Sequence, residues 1–163
     1  MIARCLPKEN QHTQPHTGLL LWDSAAALSA ILVDAPEVCA GKRVVELGCG
    51  GVALCSLAAS LNCDRVVATD GDAEAIELVA QNMELNAAGF RTDRIENRRL
   101  RWGVEEEMRE VEEGNGEEKF EVVLGADVVY VAENVPLMFQ TAKRLLATRI
   151  REGGGCRCCC SVT

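Results

Sequence analysis

Along the chain, short apolar runs alternate with longer stretches in which apolar residues return every three or four positions. Residues 19–36, LLLWDSAAALSAILVDAP, carry the helical spacing, with Asp23 or Ser24 available to cap the start and Pro36 to close it. Residues 44–47 (VVEL) read as a buried strand, residues 55–61 (CSLAASL) as a helix, and residues 65–69 as a second strand ending at Asp70. Residues 72–86 predict a helix with Ile76, Val79, Ala80 and Met83 inward and Asn86 and Gly89 as stop signals. Residues 95–102 form a polar, exposed strand candidate. Residues 120–130 (FEVVLGADVVY) form a buried strand running into a loop, and residues 134–150 an amphipathic helix. Residues 151–163 (REGGGCRCCCSVT) complete the series with a glycine turn and a fifth strand. Strands alternating with helices predict an α/β fold, a doubly wound and mostly parallel sheet covered on both faces. The length of 163 residues fits one domain, read here as residues 18–163 behind a polar leader at 1–17.

Composition narrows the class. With 48% hydrophobic residues, 26% charged residues and a net charge of -8, the chain has the balance of a globular protein. No apolar run is long enough to span a bilayer, so no membrane association is expected. The leader lacks the apolar segment of a secretory signal, which points to the cytosol or nucleus. The nine cysteines then read as reduced thiols. Four of them, Cys156, Cys158, Cys159 and Cys160, lack the paired spacings of a zinc site, so no metal is expected; they read as small strand residues. His12 and His16 lie in the leader and read as solvated. The acidic balance argues against nucleic acid as a partner. Eight glutamates fall within residues 105–119, either a solvated loop or short helix, or a fence that steers a basic protein substrate.

The candidate chemistry centres on VVELGCGGVA. In a doubly wound sheet a glycine turn after the first strand lets backbone approach a ligand and aims a helix N-terminus at it, and Gly48 and Gly50 are placed to do so. Asp70, about 20 residues on at the end of the second strand, stands where ribose hydroxyls would lie. Gly48-Cys49-Gly50-Gly51-Val52-Ala53 fits G-x-G-x-x-A, which leaves a nicotinamide dinucleotide open. Glu46 counts against it: a carboxylate before the glycines would face a pyrophosphate, whereas it suits a ligand with an ammonium and a sulfonium, such as S-adenosylmethionine.

Trp22 in GLLLWDSAAALSAIL, VVELGCGG, TDGDAEAIELVAQNMELN, RLRWG and GADVVY occur in an order that resembles the lysine-methyltransferase family of seven-strand (class I), S-adenosylmethionine-dependent enzymes, over roughly residues 16–147. The resemblance implies a class I methyltransferase sheet of Rossmann-like type. It implies that Gly48, Cys49 and Gly50 contact the methionine part of the cofactor, Asp70 the ribose, and Trp102 and Ala126 the adenine. Trp22 would come from the preceding helix to close the pocket. Asp127-Val128-Val129-Tyr130 matches the family's Asp-x-x-Tyr, so Asp127 would orient, and Tyr130 enclose, the lysine amine of a protein substrate. Val52 departs from the family, which commonly has glycine there. Two more strands and a helix would follow residue 163 in the seven-strand fold, so the chain reads as ending early. Three readings stay open: a protein-lysine methyltransferase, an NAD(P)-dependent oxidoreductase, and a non-catalytic remnant that binds a partner.

Overall fold

The computed structural model describes residues 17–116, 118–147 and 157–161. Five strands, Arg43–Leu47 (β1), Arg65–Asp70 (β2), Ile95–Arg99 (β3), Val122–Ala126 (β4) and Arg157–Ser161 (β5), form one sheet in the order β3-β2-β1-β4-β5. Every pairing is parallel; Val45 sits opposite Val67 on one side and Val123 on the other. The helices are Asp23–Asp34 (α1), Leu54–Ser60 (α2), Ala73–Asn86 (α3), Glu105–Gly114 (α4) and Val135–Leu145 (α5). Strand order reverses at the β1/β4 pair, and there the carboxyl ends of the strands part to leave a crevice.

Period-two alternation divides the core between two faces. Val44, Val66, Val122 and Leu124 join Leu28 and Leu32 of α1 and Cys55 and Ala59 of α2. Val45, Leu47, Val67 and Val123 point the other way, against Met108 and Val111 of α4, Phe120, and Met138 and Leu145 of α5. Because β1, β2 and β4 are covered on both faces, their sequences are continuous apolar runs. That is why the pattern located them.

Some expectations need correction. Neither Asp23 nor Ser24 caps α1: Trp22 holds the N-cap position without a side-chain capping bond, and Asp23 already lies in the first turn. Ala80 of α3 faces solvent. The inward face instead carries Ala75, Val79, Asn82 and Asn86, and the buried Asn82 amide donates to Gly51 O at 2.8 Å. Asn82 thus props the glycine turn from behind, a tertiary job that helical periodicity does not mark. The acidic segment begins as helix α4, and five of that helix's six glutamates form ion pairs within the chain. Arg144 of α5 pairs with Glu105 and Glu112, Arg109 with Glu106 and Glu113, and Arg101 with Glu107. Such compensation weakens the long-range field that a fence would need. The fifth strand is present at Arg157–Ser161 and contains Cys158, Cys159 and Cys160; Cys156, His12 and His16 lie outside the described residues, as does the leader up to residue 16.

Candidate cofactor and acceptor cleft

At the carboxyl ends of β1, β2 and β4 lies a cleft of about 380 Å³, and all ten side chains or turn residues expected at a site line it: Trp22, Glu46, Gly48, Cys49, Gly50, Asp70, Trp102, Ala126, Asp127 and Tyr130. The glycine turn holds its shape through bonds to three neighbouring segments. Cys49 N donates to Thr69 O at 2.9 Å, and Thr69 Oγ1 donates to Glu46 O at 2.6 Å, which staples β1 to β2. Gly51 N donates to Gly18 O at 2.6 Å. Gly50 has φ +59, and a β-carbon there would come within 2.9 Å of Gly18 O, so both conformation and space require glycine. Val52, in place of the family's glycine, is buried and lines the cleft. Ala53 carries the left-handed conformation before α2, at φ 48.

Carboxylates dominate the chemistry. Asp70 Oδ2 accepts from Gly50 N at 2.9 Å and Oδ1 accepts from Asp72 N at 2.9 Å. A carboxylate has about four acceptor sites, so two remain for hydroxyl groups of a ligand. Burial raises the Asp70 pKa, and the N–H groups of Asp72 and Gly50 oppose that rise. Glu46, 2% exposed, accepts from both Ser56 N, at 2.8 Å, and Ser56 Oγ, at 2.5 Å. Among the described residues lining the cleft, Glu46, Asp70, Asp72 and Asp127 bring carboxyl groups, and Arg101, itself held by Glu107, is the one cation. Burial pushes the Cys49 thiol well above its ordinary range, so Cys49 contributes shape rather than a thiolate.

Trp102 follows β3 in a turn clasped to α5. Gly103 N donates to Thr141 Oγ1 at 3.0 Å, and Leu100 N donates to Asp70 O at 2.8 Å. Trp22 reaches the cleft from the N-cap of α1 rather than from within a helix. Asp127 ends β4 at φ +59, and Tyr130 stands on the rim, 68% exposed.

Sequence reasoning missed Gly18, Leu20 and Leu21, which strap the cleft from the segment before α1, and Val128, which packs over the glycine turn. The unabsorbed glycine of Thr17–Leu19 was the available signal for the strap. Among the described residues no three His, Cys, Asp or Glu side chains converge as metal ligands would. No helix among them is long and apolar enough to cross a membrane.

Glu46 gives a pH prediction. Burial pushes its pKa up to about 7 from 4.5. Between those values the folded state binds more protons than the unfolded one, so stability from this group falls as pH rises. The cost reaches about 3 kcal/mol above pH 7 and vanishes below the unfolded value. Glu46→Gln, whose carbonyl can still accept from Ser56, is expected to raise the urea midpoint at pH 8 and to lose that advantage near pH 4.5. An equal gain at both values would show that ionisation of Glu46 is not the cause.

A model of the lysine methyltransferase family matches residues 6–158. The chain is 34% identical over 131 residues to Protein-lysine N-methyltransferase EFM3 of Chaetomium thermophilum, covering 80% of this chain and 39% of that protein. It is 32% identical over 126 residues to Protein N-lysine methyltransferase METTL21A of Danio rerio (77% and 54%), and 28% identical over 142 residues to the calmodulin-lysine N-methyltransferase of Arabidopsis thaliana (86% and 45%). The chain thus spans about half the length of the curated relatives it matches. Among solved structures, an O-methyltransferase from Bacillus cereus in complex with SAH superposes with a TM-score of 0.52 at 19% identity, covering 87% of this chain and 56% of that one. A SAM-dependent methyltransferase from Agrobacterium tumefaciens does so with a TM-score of 0.54 at 17% identity, covering 80% and 43%. These two likenesses concern the fold: the doubly wound sheet is that of the class I methyltransferases. With its motifs in order around one cleft and the family model matched over most of its length, the chain belongs to the lysine methyltransferase family.

Proposed function

We propose that the chain is the cofactor-binding part of an S-adenosylmethionine-dependent protein-lysine N-methyltransferase. The observation that carries this reading is that N–H groups of the glycine turn and of the first turn of α2, where a phosphate would bind, are taken by carboxyl groups of the chain itself. Gly50 N–H is spent on Asp70 and Ser56 N–H on Glu46. A dinucleotide's pyrophosphate needs those donors. It would instead meet the carboxylates of Asp70, Asp72 and Asp127 beside the buried Glu46 carboxyl, whereas a cationic ligand with a ribose finds complementary charge and acceptor sites. The oxidoreductase reading therefore loses its support.

In this reading Asp70 accepts from the ribose hydroxyls through charge-assisted bonds. Gly48 and Gly50 let backbone lie against the methionine portion, Glu46 compensates its ammonium from below, and Trp102 and Ala126 bound the adenine. When bound, S-adenosylmethionine supplies an electrophilic methyl on a sulfonium; the carbon–sulfur bond breaks as the carbon–nitrogen bond forms. The chain's part is to position and to set charge. Asp127 and Tyr130 face the side from which an acceptor amine would enter. A lysine of pKa about 10.4 costs roughly 4 to 5 kcal/mol to present unprotonated at neutral pH. Asp127 raises that cost by holding the ammonium and earns its place by orienting it. Desolvation against Tyr130 once the protein substrate covers the rim would lower it. The amine proton leaves to Asp127 or water.

A protein substrate is favoured by the names of the relatives, and the net charge of -8 weighs against nucleic acid. Buried free thiols at Cys49, Cys55 and Cys63 support a reducing compartment, the cytosol or nucleus. The reading is tested in two steps: titration of the chain with S-adenosylhomocysteine, then transfer of labelled methyl to lysine in a protein mixture. Label on lysine that Asp70→Ala removes would support it. Cofactor binding with no methyl transfer would favour the partner-binding remnant.

A further inference from the structure

Asp127 is one of two non-glycine residues with positive φ among those described, at φ 59. Its left-handed turn ends β4 abruptly and folds the next residue back over the strand ends. Val128 lands in a notch formed by two absent side chains. A β-carbon on Gly48 would lie 2.7 Å from Val128 Cγ1, and one on Gly125 would lie 3.2 Å from Val128 Cγ2. The indole of Trp102 closes the same spot, with Cζ2 3.6 Å from that Gly48 position. Val128 lines the cleft between the glycine turn and the Asp127–Tyr130 rim. As a β-branched side chain it is stiff at χ1 and does not swing aside.

We infer that Val128 is a specificity-determining stop: its side chain, wedged over Gly48 and Gly125, limits the alkyl group that a sulfonium ligand can present in the cleft to a methyl. This rests on the proposed cofactor. It adds a residue for which the Asp-x-x-Tyr pattern leaves any type open, and it gives Gly48 and Gly125 a shared reason to be glycine. One extra methylene against a rigid apolar wall typically changes recognition by about 10- to 200-fold. Room to accept it arises when Val128 is shortened.

The test is calorimetric titration of wild type, Val128→Ala and Val128→Thr with S-adenosylhomocysteine, S-adenosylmethionine and its S-ethyl homologue. Wild type is expected to prefer the methyl over the ethyl sulfonium by about 10-fold or more. Val128→Ala is expected to bring the two within about 3-fold by gaining affinity for the ethyl compound, with S-adenosylhomocysteine nearly unchanged. Val128→Thr keeps the size and should keep the preference. Unaltered discrimination in a Val128→Ala protein that binds S-adenosylhomocysteine would overturn the assignment of Val128 alone. Absence of S-adenosylhomocysteine binding in folded wild type would overturn the cofactor reading and this inference with it. Should Val128→Ala not fold, Val128→Ile decides: it should weaken even the methyl sulfonium, and unchanged affinity refutes the stop.

Discussion

Asp70→Ala is expected to lower affinity for S-adenosylhomocysteine by about 100-fold or more, because hydrogen bonds to a charged group contribute about 1.5–3 kcal/mol each and two acceptor sites would be lost to the ribose. The same carboxylate holds Gly50 N and Asp72 N at 2.9 Å, so its removal also frees the glycine turn and the start of α3. Asp70→Asn separates the two contributions. The amide oxygen can keep one N–H, and the loss of charge should cost about tenfold in binding with a smaller change in melting temperature. Calorimetry beside thermal melts of the three proteins reads both. Equal affinity of wild type and a folded Asp70→Ala would remove Asp70 from the site.

Gly50→Ala should be nearly as severe, by a different route. The left-handed conformation costs a non-glycine residue about 1–2 kcal/mol, and the added methyl would press on Gly18 O, a backbone atom that cannot rotate away. Either the turn or the strap must shift, and both line the cleft. Overpacking of this kind adds about 1–3 kcal/mol, enough to lower the melting temperature by several degrees and to spoil binding. Gly41→Ala is the matched control. Gly41 has φ +64 with nothing within 4 Å of its would-be β-carbon, so it should show the conformational cost alone and bind normally. Similar melting and binding in the two variants would mean that contact with Gly18 is unimportant.

These predictions also mark what the sequence made legible. Strands β1, β2 and β4 were readable because burial on both faces leaves unbroken apolar runs. The residues that line the cleft were readable because the glycine turn, Asp70 and the loop after β4 all fall at strand ends, where this topology gathers ligands. Less legible were features that depend on distant approach. Gly18 meets Gly51, Asn82 supports the same turn, Arg144 answers glutamates of α4, and Val128 drops over Gly48. None of these pairs is close in sequence, so neither periodicity nor local spacing records them. Ala53 and Asp127 adopt left-handed backbone where turn chemistry would favour glycine or asparagine, which hid two abrupt changes of direction.

The charge of the cleft is the point on which the cofactor depends, and one measurement tests it most directly: calorimetric titration of the purified, folded chain with S-adenosylhomocysteine and, separately, with NADH. Saturable binding of S-adenosylhomocysteine with no heat from NADH is the expected result. NADH binding, with S-adenosylhomocysteine excluded, would contradict it and mean that Asp70 and Glu46 yield their N–H donors to a pyrophosphate after all.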